Sequence, residues 1–220
     1  MNDSLLERVE RGPRDARSSV IWLHGLGADG HDFEPIVPEL GLPDVRFVFP
    51  HAEVIPVTIN GRLPMRAWFD IIGFGIDAPQ DDAGIRRSAA AVSQLIDAEV
   101  ARGVPTERIV LAGFSQGGAI ALHTALREPR PLAGVMGLST FLPLAATLAA
   151  EKSAANAQLP ILMAHGDANA VIPIGMAEMS RTLLEREGYA VEWRRYPIAH
   201  TVSLDEVRDI ARWLSERLGG

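Results

Sequence analysis

Apolar residues along this chain gather in short runs, separated by longer stretches where they recur every third or fourth position. The runs are residues 19–23, 45–49, 109–112, 133–138, 161–164 and 191–196. As a set they are rich in Val, Ile and Leu and barely alternate, which predicts parallel strands covered on both faces. The stretches between them predict helices. Over 81–102 the apolar positions Ile85, Ala89, Val92, Ile96 and Val100 share one face. Further helices are expected over 116–127 and over 173–187, the latter ending at Gly188. A last helix begins at Ser203, where Glu206 three residues on forms a capping box. Its apolar face is Val207, Ile210, Ala211, Leu214 and Leu218. Strands alternating with helices predict an α/β fold: a doubly wound, mostly parallel sheet with helices on both faces. Function is then expected on loops at the carboxyl ends of the strands.

Composition narrows this picture. With 220 residues, 47% of them hydrophobic, the chain can bury a full core. No Pro/Gly/Ser linker or fixed-period repeat divides it, so one domain over 1–220 is expected. The absence of cysteine excludes a disulfide scaffold, thiol catalysis and thiolate metal sites, and suits a cytoplasmic protein. A net charge of -7 argues against a nucleic-acid surface. Residues 1–17 are charged and lack the apolar region of a signal peptide. Residues 131–150 carry no charge and are long enough to cross a bilayer, but Gly134, Gly137, Ser139, Thr140 and Pro143 interrupt them. They read as a buried strand, a loop and a short helix, so no transmembrane segment is expected.

The candidate chemistry centres on Gly113-Phe114-Ser115-Gln116-Gly117, a Gly-x-Ser-x-Gly between a strand-forming and a helix-forming run. This is the order of an α/β-hydrolase nucleophile elbow, where a tight turn lifts the serine hydroxyl above the sheet edge. The Gln116 amide, opening the helix, can donate to a developing oxyanion. A serine needs a base to take its proton, and in this fold the order is serine, acid, histidine. Of six histidines, His24, His31 and His51 precede Ser115. His123 lies on the following helix, in a surface or packing role, and His165 ends a strand. His200 lies between the last strand and the last helix, where the base is expected. His24-Gly25-Leu26-Gly27 follows the first strand, and the Leu26 amide is a candidate second oxyanion donor. No spacing of metal ligands is present, and no cofactor is implied.

Segments in order through nearly the whole chain resemble the phospholipase/carboxylesterase family, which includes bacterial carboxylesterases and acyl-protein thioesterases. They are Trp22-Leu23-His24-Gly25-Leu26-Gly27, Phe49-Pro50-His51-Ala52, Pro56-Val57-Thr58-Ile59-Asn60-Gly61, Ala67-Trp68-Phe69-Asp70-Ile71, residues 111–118, Gly137-Leu138-Ser139, His165-Gly166-Asp167, and Tyr196-Pro197 leading to His200. The resemblance implies an α/β-hydrolase with an open, lidless apolar groove that hydrolyses short- to medium-chain acyl esters, thioesters or lysophospholipids. By motif position it implies Ser115 as nucleophile, His200 as base, and Leu26 and Gln116 as oxyanion donors. Trp68, Phe74, Phe141 and Leu142 are the implied acyl-groove residues, with core packing as the competing role. The implied partner is a small-molecule ester or acylated substrate, and apolar surface near the groove allows a homodimer.

The main departure of the chain from that family is at the acid position. The pattern His-Gly-x-x-Asp-x-Val-x-Pro here reads His165-Gly166-Asp167-Ala168-Asn169-Ala170-Val171-Ile172-Pro173. The acid position holds Asn169, which is neutral and can turn its NH2 toward the histidine, favouring the wrong tautomer. In a serine protease the same exchange costs roughly four orders of magnitude, about 5.5 kcal/mol. Three readings stand open: Asn169 lowers the rate of an otherwise intact esterase; Asp167 supplies the carboxylate after a loop rearrangement; or Asn169 orients His200 through its side-chain carbonyl. A smaller departure is Ala199, where the family has glycine. The rival to an esterase is a non-catalytic acyl-ligand-binding protein on the same fold, favoured by Asn169 alone.

Overall fold

The structure, a computed structural model, describes residues 5–73, 75 and 78–219. Along the chain run β1 (Arg8–Arg11), β2 (Ser18–Leu23), α1 (Val37–Leu40), β3 (Val45–Pro50), β4 (Val54–Val57) and β5 (Leu63–Arg66). They are followed by α2 (Asp82–Ala101), β6 (Ile109–Phe114), α3 (Gln116–Arg127), β7 (Gly134–Leu138) and α4 (Leu148–Glu151). The last elements are β8 (Ile161–Gly166), α5 (Ile174–Arg186), β9 (Val191–Tyr196) and α6 (Leu204–Leu218). Seven strands form one sheet in the order β1-β3-β2-β6-β7-β8-β9. All neighbours are parallel except β1, which runs antiparallel to β3. This is an α/β-hydrolase fold. Strands β4 and β5 pair as a separate antiparallel hairpin.

Two apolar layers explain why the strand runs do not alternate. Ile21, Leu23, Leu111 and Val135 face one core, shared with Ile85, Val92 and Ile96 of α2 and Ile120 of α3. Val20, Trp22, Phe47 and Val110 face the other, shared with Ile210, Trp213 and Leu214 of α6. Every second strand residue thus meets helices on one face and its neighbours meet helices on the opposite face. Residues 131–150 contain β7, a loop, a 3-10 turn (Ala145–Thr147) and α4. Among the described residues no helix is long and apolar enough to cross a membrane.

The expected face of α2 needs one correction. Val100 is 38% exposed, and Glu99 is the buried residue of that turn. Glu99 can enter the interior because Ser19 Oγ donates to it, as do Arg46 at 3.2 Å and Arg102 at 3.1 Å. Strand β1 gave no sequence signal because Arg-Val-Glu-Arg sits on the sheet edge and is only partly buried.

Candidate active site

Ser115 stands between β6 and α3 with φ 53° and ψ −121°, outside the regions an L-residue prefers. The flanking glycines make that turn possible by contact. A Cβ at Gly113 would lie 2.4 Å from the Gly117 backbone, and one at Gly117 would lie 2.4 Å from the His24 carbonyl oxygen. Backbone bonds hold the turn: Ser115 N donates to the Leu138 carbonyl at 2.8 Å, and Thr140 Oγ1 donates to the Ser115 carbonyl at 2.6 Å. The sequence marks Thr140 only as an interruption of the uncharged stretch 131–150, because the Gly137-Leu138-Ser139 motif stops one residue short of it.

His200 comes to Ser115 from the loop between β9 and α6. Its Nε2 lies 3.0 Å from Ser115 Oγ. The loop is tied to the end of β8: Asp167 N donates to the Tyr196 carbonyl and Ala168 N to the Ile198 carbonyl. The two chains cross so closely that a Cβ at Gly166 would sit 2.3 Å from the Ala199 carbonyl oxygen. Ala199 itself is not among the residues with positive φ, so its methyl is accommodated without strain. The imidazole packs on Phe114, with ring centroids 4.7 Å apart. Burial pushes the His200 pKa down to about 4, with a smaller contribution from His165. Among the described residues no carboxylate contacts the ring to oppose this.

On the far side of His200 stands Asn169, which is 6% exposed. Its Nδ2 lies 2.9 Å from His200 Nδ1. Its Oδ1 accepts from the amides of Val171 at 3.1 Å and Ile172 at 3.0 Å. The carbonyl of Asn169 is thus committed to backbone and does not orient the ring. Asp167 points elsewhere: its carboxylate takes Arg195 Nε at 2.7 Å in a half-exposed ion pair. The loop keeps its register, and Asn169 occupies the place beside the imidazole.

The loop after β2 passes beside the serine. A Cβ at Gly25 would lie 3.5 Å from Ser115 Cβ, and Leu26 follows it. His24, 1% exposed, holds this loop by donating from Nδ1 to the Gly25 carbonyl at 2.7 Å and accepting from Ala52 N at Nε2. Burial lowers its pKa to about 4, so it acts as a neutral clamp. The Gln116 side chain spans to the segment before α2, accepting from Trp68 N at 2.8 Å and donating to the Phe69 carbonyl at 2.7 Å. A hydroxyl at a strained strand-to-helix turn, hydrogen-bonded to an imidazole, forms the core of an acyl-transfer site.

The four expected groove residues separate. Trp68 is 2% exposed in the first core, its Nε1 donating to the His24 carbonyl, and Leu142 is 3% exposed in the same layer. Both are core residues, because these loops are tied down by polar contacts beneath the site. Phe141 is half-buried against that core. Phe74 lies outside the described residues. His123 is buried on α3 with its pKa lowered to about 4 by burial, so of the surface and packing roles open to it the structure shows packing. Among the described residues no three His, Cys, Asp or Glu side chains converge as metal ligands.

Comparison with known proteins gives consistent matches over most of the chain. The family profile described as Phospholipase/Carboxylesterase matches residues 5–218. Acyl-protein thioesterase 1 of Neurospora crassa is 40% identical over 215 residues, covering 91% of this chain and 87% of that protein. Acyl-protein thioesterase 1 of Mycosarcoma maydis is 36% identical, covering 97% and 98%. The crystal structure of Zea mays acyl-protein thioesterase 2 superposes with a TM-score of 0.88 at 31% identity, covering 97% of this chain and 99% of that one.

Proposed function

The chain belongs to the phospholipase/carboxylesterase family, and from that premise we propose that it is a serine hydrolase cleaving short- to medium-chain acyl esters and thioesters through an acyl-enzyme on Ser115. The observation that carries this reading is the 3.0 Å approach of His200 Nε2 to Ser115 Oγ at a strained strand-to-helix turn. In it Ser115 attacks the acyl carbon while His200 takes the hydroxyl proton. The amides of Leu26 and Gln116 bind the oxyanion. The leaving alcohol or thiol takes the proton from His200, and water, activated by the same ring, releases the acid. Nearby relatives named acyl-protein thioesterases support the substrate class. The rival acyl-binding role has only Asn169 in its favour, and the family membership outweighs it.

The test is labelling by a fluorophosphonate probe together with release of p-nitrophenol from p-nitrophenyl butyrate. Labelling should be lost in Ser115→Ala and should slow at least a hundredfold in His200→Ala. Apolar ligand binding with no labelling of the parent chain would make it the acyl-binding protein instead. The reading includes a cytoplasmic setting, supported by the lack of cysteine. It also includes a homodimer, supported by exposed Val171 and Leu204 near the site, which a monomeric mass in light scattering would overturn.

A further inference from the structure

Ser115 can give up its proton only to an unprotonated Nε2. We propose that Asn169 is a positioning residue that holds His200 as the tautomer protonated on Nε2, so that the resting ring donates to Ser115 and turnover passes through a rare second tautomer. This rests on Ser115 being the nucleophile. Two backbone N–H groups, of Val171 and Ile172, converge on one end of the Asn169 amide at 3.1 and 3.0 Å. Only an acceptor can face two donors, so that end is the carbonyl oxygen. The NH2 is then fixed at 2.9 Å from His200 Nδ1, where it can only donate. Nδ1 must offer its lone pair, and the single N–H of the neutral ring falls on Nε2, 3.0 Å from Ser115 Oγ.

The arrangement resists reversal from both ends. Moving the proton to Nδ1 sets N–H against NH2. Rotating the amide to relieve that sets NH2 against two backbone N–H groups, at a side chain 6% exposed where water gives little relief. The imidazolium meets the same clash at Nδ1, and burial already holds the ring neutral. Asp167 cannot intervene while it is paired with Arg195. An aspartate at 169 would remove the conflict. One oxygen would keep the two amides and the other would accept from Nδ1–H, freeing Nε2 to receive the serine proton.

The experiment compares the full chain with Asn169→Asp and Asp167→Ala. Nitrogen-15 shifts of the His200 ring at pH 7 should show a bare Nδ1 and protonated Nε2 in the parent, and a protonated Nδ1 in Asn169→Asp. With p-nitrophenyl butyrate, Asn169→Asp should raise kcat by about 10³- to 10⁴-fold with KM changed only a few-fold, the inverse of the serine-protease exchange. Its rate should gain an inflection near the ordinary histidine range of about 6.5, absent from the parent, whose ring is already neutral there. Asp167→Ala should stay within about threefold of the parent. A parent ring protonated on Nδ1 overturns the proposal. So does an Asn169→Asp chain no faster than the parent while both are labelled at Ser115. Failure of every variant to label or hydrolyse refutes the hydrolase reading instead, and the nitrogen shifts still decide the tautomer.

Discussion

Ser115 shows how one residue can trade stability for reactivity. Its φ of 53° and ψ of −121° place the hydroxyl at the sheet edge, in a conformation that costs a non-glycine residue on the order of 1–3 kcal/mol. Glycine adopts such angles freely, at the expense of a more flexible unfolded chain. Ser115→Gly should therefore match or exceed Ser115→Ala in stability, by up to about 1 kcal/mol in urea titrations, while both lack esterase activity. Asn169 is the complementary case. The sequence exposed it as a neutral residue in an acid position but left three roles open. The amides of Val171 and Ile172 choose among them by fixing which end of the side chain faces His200.

At the scale of elements, the site depends on loops tied to one another across the carboxyl edge of the sheet. The Gln116 side chain joins the first turn of α3 to Trp68 and Phe69, whose backbone groups are otherwise enclosed. Gln116→Ala leaves a buried N–H and a buried carbonyl unpaired, so thermal or urea unfolding should show a loss of about 2–4 kcal/mol. The backbone amide of residue 116 survives that change, so the loss of activity should follow displacement of the 67–70 segment. The start of α6 was legible in advance: Ser203 Oγ accepts from Glu206 N at 3.2 Å, as the capping box predicts. The hairpin of β4 and β5 was not, because its strands are four residues each and their pairing lies apart from the main sheet.

The whole molecule carries a stability that depends on pH in a definite direction. His24, His123 and His200 each hold a pKa of about 4 in the fold, against an ordinary 6.5, mainly because burial disfavours the charged ring. Between those values the unfolded chain binds more protons than the folded one. Each contributes stability that is complete above pH 6.5 and lost as pH falls toward 4. Glu206 has the opposite sign. Burial raises its carboxyl to about 7, so the fold binds that proton and gains from it as pH falls from 7 toward 4.5. Three imidazoles outweigh one carboxyl, and Tm should decline between pH 6.5 and 4. Each uncompensated proton is worth about 1.4 kcal/mol per pH unit. His123→Leu, away from the site, should make that decline shallower in calorimetry at several pH values.

The sequence by itself determined the alternation of strands and helices, the elbow around Ser115 and the position of His200. These follow from local signals: apolar periodicity, glycines that neighbouring backbone requires, and chain order within one motif. Tertiary structure alone decided that Glu99 rather than Val100 is buried, that Trp68 and Leu142 belong to the core, that Asp167 pairs with Arg195, and that the Asn169 amide turns its NH2 to His200. The first three depend on partners distant in sequence; the Asn169 amide is turned by the nearby amides of Val171 and Ile172, and it is the fold that brings His200 against it. A side chain's burial or orientation is settled by which donor, acceptor or charge the fold brings against it, and local pattern carries no record of that choice.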